Sequence, residues 1–130
     1  MFVDTNYFLR YFLADNQLQH DKVKKLFLDA KNEKVKLFTN HIVLFEINWV
    51  LTTSYKKAKR DIIVALNTIL RLKFITIEEK EVISQALALY EKYTLSLEDC
   101  YHLAFACKNN IKRMATFDRS LQKVFSEIEK

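Results

Sequence analysis

Glycine and proline are both absent from the 130 residues. Without glycine, no backbone turn can draw close to a phosphate, which excludes the P-loop and the dinucleotide-binding fingerprint. Without either turn former, bends fall to Asn, Asp, Ser and Lys, and a helix-rich fold is expected. Cysteine is scarce too. Cys100 and Cys107 lie in one expected helix, separated by roughly 10 Å of axial rise, too far for a disulfide. They are expected as two buried free thiols in a reducing, cytoplasmic setting. No apolar run approaches the ~20 residues of a spanning helix, so no membrane partner is expected. The opening MFVDTNYFLRYFLA carries Asp4 where a secretory leader has positive charge, and Arg10 interrupts its apolar run. It is expected to be neither leader nor anchor. Repeats, low-complexity tracts and linkers are missing as well, which leaves one domain over residues 1–130 as the expectation. Half the residues are hydrophobic, and a chain of this length buries roughly two-thirds of its unfolded surface without a metal or disulfide staple.

What is present is apolar periodicity from end to end. Met1 to Val3 reads as a buried strand ending at Asp4, and Tyr7, Phe8, Tyr11 and Phe12 then recur at helical spacing. Further helices are expected from about Leu18 to Asn32, His41 to Tyr55, Arg60 to Leu72, Glu79 to Tyr93, Ser96 to Asn109, and from Asp118 through Phe125. Short strands are expected at Lys36 to Phe38, Phe74 to Ile77 and Arg113 to Phe117. Strands alternating with helices, without hairpin signals, imply an α/β fold with a mostly parallel sheet covered on both faces.

Four carboxylates stand out in that frame. Asp4 and Asp118 fall at the carboxyl ends of expected strands, where open α/β sheets collect ligands. Asp is also a favoured helix cap, which is the plain structural reading of each. Asp99 follows Ser96 at capping-box spacing and complements the dipole of its helix. Glu46 shares a helix face with Ile42, Val43, Trp49 and Val50, where a buried carboxylate needs a partner; a salt bridge or a snorkelling side chain at the rim of the core is its plain structural reading. Gathered at one end of the sheet, two such carboxylates about 4 Å apart would repel by roughly 4 kcal/mol at an effective dielectric of 20, so the cluster would call for a cation. Oxygen ligands without His or Cys companions select Mg²⁺ or Mn²⁺. A metal so held activates water and stabilises charge on a phosphoryl group.

These residues resemble the PIN-domain ribonucleases, and within them the VapC-like toxins of toxin-antitoxin pairs, over nearly the whole chain. Phe2-Val3-Asp4-Thr5-Asn6 with Leu9-Arg10-Tyr11 looks like the family's first strand, first acid and first helix. Thr39 to Leu51, with Glu46 inside an apolar helix, is similar to the segment carrying the second acid. Ser96 to Ala104, with Asp99 followed by His102 and then Leu103-Ala104, looks like the third, and Ala115-Thr116-Phe117-Asp118 resembles the fourth. The resemblance implies a three-layer α/β/α fold with a four- or five-stranded sheet and metal ligation by Asp4, Glu46, Asp99 and Asp118. It also implies one or two Mg²⁺ or Mn²⁺ ions and endonucleolytic cleavage of RNA by a metal-activated water. Thr5, Asn6, Thr116 and His102 would support the acids or touch substrate. A homodimer and a cognate antitoxin are the implied protein partners. Two departures mark this chain: Ser120 stands where many relatives carry another acid, which leaves the second metal position open, and the last strand is reduced to Phe125 to Lys130, with Glu127 and Glu129 poorly suited to a sheet.

Other features have a structural and a functional reading each. Lys22, Lys24, Lys25, Lys31, Lys34 and Lys36 form one basic stretch and Lys56, Lys57, Lys59 and Arg60 another, in a chain of net charge +5. They are solvated helix faces or contacts to a polyanion. His102 is expected to pack against its helix. Tyr7, Phe8, Tyr11 and Phe12 are expected as core rather than a stacking platform, and the apolar excess at Leu44, Phe45 and Trp49 as core or subunit interface. A dehalogenase-type phosphatase would need a second Asp where Asn6 stands, and a phosphoacceptor receiver would need adjacent acids early in the chain. A PIN-like module that binds RNA or protein without cleaving it would be expected to have lost one of the four acids.

Overall fold

The computed structural model describes residues 1–129. They form two compact units, Met1–Lys80 and Glu81–Lys130. In the first, α1 (Thr5–Phe12) and α2 (Gln17–Lys31) lead to β1 (Leu37–Thr39), α3 (His41–Thr53), α4 (Lys59–Leu70) and β2 (Ile75–Ile77). β1 and β2 pair in parallel, with Leu37 opposite Ile75 and Thr39 opposite Ile77. Phe2 adds a parallel bridge to Phe38 on the other side of β1. The Val3 amide donates to the Phe38 carbonyl at 2.8 Å, and the buried Thr39 hydroxyl donates to the Val3 carbonyl at 3.0 Å.

Period-two patterning decides which face is packed: Leu37, Thr39, Ile75 and Ile77 are buried, while Phe38 and Thr76 alternate outward. α1 packs on α2 and on α3, and α3 packs on α4. The Phe8 and Phe27 rings lie 6.0 Å apart and those of Phe27 and Phe74 5.6 Å apart, a tilted aromatic seam between α1, α2 and the entry to β2. Phe2 and Phe38 are exposed on one face of this sheet, where cover on both faces was expected.

The second unit consists of α5 (Lys80–Lys92, which begins on the last residue of unit 1), α6 (Leu97–Lys108) and α7 (Arg119–Ile128). Leu103 and Ala106 of α6 pack with Leu121, Val124 and Phe125 of α7, flanked by Leu89, Tyr93, Leu95, Met114 and Ile128. Arg113 to Phe117, expected as a strand, carries none among the described residues. The segment is mostly exposed, and it ends in a turn in which the Asp118 amide donates to the Thr116 hydroxyl at 3.0 Å. Nor do residues 125–128 form a last strand: they finish α7, as two inward apolar residues at helical spacing, Leu121 and Phe125, dictate. Lys130 lies outside the described residues. The Met1 to Val3 strand is realised as the single bridge at Phe2. The sheet of the described residues is therefore two strands and a bridge, smaller than the four or five strands expected.

The absence of glycine is met by residues that accept left-handed backbone at a cost. Glu33 (φ 62°) and Asn110 (φ 55°) follow the C-caps of α2 and α6. In each case two hydrogen bonds close the helix end, Glu33 N to Ala30 O with Lys34 N to Asp29 O, and Asn110 N to Cys107 O with Ile111 N to Ala106 O. This is the Schellman arrangement without its usual glycine. Of the cysteines, Cys100 is buried as expected, but Cys107 is exposed, in the last turn of α6 beside the exposed Lys108. No helix among the described residues is long and apolar enough to cross a membrane.

Candidate functional site

Asp4 is exposed and caps α1: its Oδ1 accepts from the Thr5 amide at 2.7 Å. Thr5 is buried, and its hydroxyl reaches across 41 positions of sequence to donate to Glu46 Oε2 at 2.8 Å. One residue at the start of α1 thereby engages two carboxylates, one through its backbone and one through its side chain. A hydrogen bond to an ionised acceptor is shorter and stronger than a neutral one, and here it fixes a Glu rotamer that would otherwise be free in solvent. Glu46 is exposed, and so are its face-mates Ile42 (54%) and Trp49 (64%), while Val43 on the same face is buried and Val50 half-buried, as Leu44 and Ile47 are buried further round; the carboxylate stands at the rim of the core. The apolar character of α3 nearly all round conceals this division in the sequence.

In the second unit, Ser96 caps α6 by accepting from the Asp99 amide at 3.1 Å, which leaves the partly buried Asp99 carboxylate outside that capping bond. Asp118 caps α7, its Oδ1 accepting from the Leu121 amide at 3.0 Å. Thr116, in the segment expected as a strand, accepts from the Asp118 amide and so orients the turn into that cap. His102 is exposed rather than packed, with its ring beside Tyr101 at 6.1 Å. Asn6 is exposed in the first turn of α1.

Within either unit, among the described residues, no three His, Cys, Asp or Glu side chains form a group that could hold a metal ion. Asp4 and Glu46 belong to the first unit, and Asp99 and Asp118 to the second. The donor chemistry suits a hard divalent cation. All four candidates are carboxylates, and the bonds of Asp4 and Glu46 to Thr5 each engage one oxygen of the acid.

The last turn of α1 carries a cationic element, Arg10. Arg10 donates to Asp15 at 2.6 Å and to the Tyr55 hydroxyl at 3.3 Å, and the Tyr55 bond, with Asp15 beside it, holds the guanidinium above its ordinary pKa. The Arg10 carbonyl in turn meets His20 Nδ1 at 2.8 Å, tying α1 to α2. Only the spacing of Arg10 and Asp15 across the helix end signals this in the sequence. Every lysine and arginine of the two basic stretches is exposed.

The PIN domain family matches residues 1–125. The chain belongs to the PIN domain family. Its VapC-like character is borne out by a VapC ribonuclease from Aquifex aeolicus (strain VF5), 29% identical over 113 residues, which span 87% of this chain and 84% of that protein. The crystal structure of VapC20 from Mycobacterium tuberculosis, described as a sarcin-ricin loop cleaving toxin, is similar over 95% of this PIN domain chain and 93% of its own. The two share 22% sequence identity, with a TM-score of 0.42.

Proposed function

We propose that this chain is the endoribonuclease toxin of a toxin-antitoxin pair, acting in the cytoplasm as one PIN domain over residues 1–130. Hydrolysis of RNA phosphodiester bonds depends on Mg²⁺ or Mn²⁺ held by Asp4, Glu46, Asp99 and Asp118. The observation that supports this reading is the linkage of Asp4 and Glu46 through Thr5: bonds that cap α1 and satisfy a buried hydroxyl also bring two carboxylates remote in sequence onto one residue. What the bound ion supplies is activation of water at neutral pH and neutralisation of charge on phosphoryl oxygens. The chain's own residues do the rest. Thr5 fixes the direction of the Glu46 carboxylate, Thr116 orders the turn that presents Asp118, and Asn6 and His102 offer hydrogen bonds to substrate. The lysines of α2 and the α3–α4 connection draw in the polyanion.

The family reading also brings a homodimer, for which the exposed Ile42 and Trp49 of α3 offer apolar surface, and an antitoxin as protein partner. Asp4→Asn and Asp99→Asn each remove one charge at nearly constant volume. Divalent-dependent cleavage of RNA is expected to vanish in both, with the helical circular dichroism and melting temperature unchanged. Undiminished cleavage by both variants refutes the assignment.

A further inference from the structure

A cleft of about 210 Å³ opens between α1 and α2, lined by Asn6, Tyr7, Arg10, Gln19, Lys22 and Val23. Two of its lining residues, Asn6 and Tyr7, stand in the first turn of the helix that Asp4 caps. Its walls are held in place: the Arg10 carbonyl to His20 contact joins the two helices, and Arg10 itself is anchored by Asp15 and Tyr55. Tyr7 departs from its stripe. Phe8 is fully buried and Tyr11 and Phe12 are half-buried, but Tyr7 is 41% exposed and lines this cleft. Among the described residues, the side chains of Asn6, Tyr7 and Lys22 make no hydrogen bond or ion pair within the chain.

We propose that this cleft receives one unpaired nucleobase next to the scissile phosphate and so sets the base preference of cleavage, an inference that rests on the ribonuclease reading for its substrate class. The volume falls below the roughly 300 to 1,000 Å³ of sites that enclose drug-sized ligands, so it admits a single ring system and not a whole nucleotide. Single-stranded RNA is read by stacking splayed bases on aromatic or guanidinium planes and by hydrogen bonds to their edges. Tyr7 supplies the ring. Asn6 and Gln19 supply carboxamides, each with both donor and acceptor capacity, which match the mixed edge of a base and not a phosphate. Lys22, on the exposed side of α2, lies where the flanking phosphate of an inserted base would need a cation. An acidic peptide would meet the lysine and, through its backbone amides, the carboxamides; what a base adds is a flat ring to stack on Tyr7.

The test is a titration of the full chain, in EDTA, into hexauridylate carrying one 2-aminopurine, whose fluorescence is quenched on stacking. Wild-type protein is expected to quench it. Tyr7→Ala is expected to lose the quenching and to bind about tenfold more weakly, Tyr7→Phe to keep both, and Lys22→Glu to weaken binding at low salt. With Mg²⁺ added, Tyr7→Ala is expected to flatten the cleavage preference among oligonucleotides that differ at the base beside the cut. Quenching by Tyr7→Ala equal to wild type overturns the proposal. So does a wild-type protein that leaves the oligonucleotide unquenched, including one that binds hexaglutamate in its place. Quenching that depends on Tyr7, in a protein that cuts no RNA with Mg²⁺, upholds the cleft and refutes the nuclease reading alone.

Discussion

Thr5 sits where two constraints meet. Its buried side chain donates to Glu46 and its amide to Asp4, so its hydroxyl can be removed without disturbing the cap. Thr5→Val keeps the shape and β-branching. It is expected to lower both divalent affinity and RNA cleavage by roughly 10- to 100-fold, the usual effect of losing a group that orients a metal ligand, while Thr5→Ser restores most of the loss. Isothermal titration with Mn²⁺ and a cleavage assay check this, and full activity in Thr5→Val shows that Glu46 is held by something else. The position of Thr5 beside Asp4 was legible in the sequence; its partner was not. Glu46 is 41 residues away, and no local spacing encodes a contact of that range. The division of α3 into a buried and an exposed side was hidden for a related reason. Ile42 and Trp49 are as apolar as Leu44 and Ile47, so composition cannot tell which side meets the core.

At the scale of elements, three of the four acids belong to helix N-termini: Asp4 and Asp118 cap α1 and α7, and Asp99 stands in the first turn of α6. Capping and metal binding make different demands on Asp118, and substitution separates them. Asn caps as well as Asp but carries no charge. Asp118→Asn is therefore expected to retain the melting temperature and lose cleavage, whereas Asp118→Ala loses cleavage and about 1 kcal/mol of stability as well. Thermal and urea unfolding of the two variants make the comparison; equal destabilisation of both shows that the cap works through charge and not through its hydrogen bond.

The helices were legible almost throughout, because a stripe recurring every three or four residues survives any tertiary context, and Ser96, Asn109 and Asp118 mark their ends. Strands of three residues carry no such redundancy. Lys36 to Phe38 and Phe74 to Ile77 were placed within a residue of β1 and β2, yet Arg113 to Phe117, with similar alternation, forms no strand among the described residues. A strand exists only through its neighbour, and the neighbour is not written in the segment.

For the molecule as a whole, charge is the property most directly read from composition. The net charge of +5 is carried largely by two exposed basic stretches. If about five of these side chains meet phosphates, the logarithm of RNA affinity falls with the logarithm of salt at a slope of about −3.5, as for counterion release from a single strand. Fluorescence anisotropy between 50 and 300 mM KCl measures it, and a flat dependence removes these lysines from the substrate path. The family was legible because four short segments occur in the right order along a chain of the right length. Whether the four acids meet was not, since order along a chain does not specify distance in space.

The proposed ribonuclease reading requires Asp4, Glu46, Asp99 and Asp118 each to contribute to divalent-ion binding. Mn²⁺ binding followed by electron paramagnetic resonance, on wild type and on Asp4→Asn, Glu46→Gln, Asp99→Asn and Asp118→Asn, tests it without recourse to RNA. Binding in wild type that weakens at least tenfold in each of the four single variants is the predicted result. Wild-type affinity in any one of them contradicts the shared site.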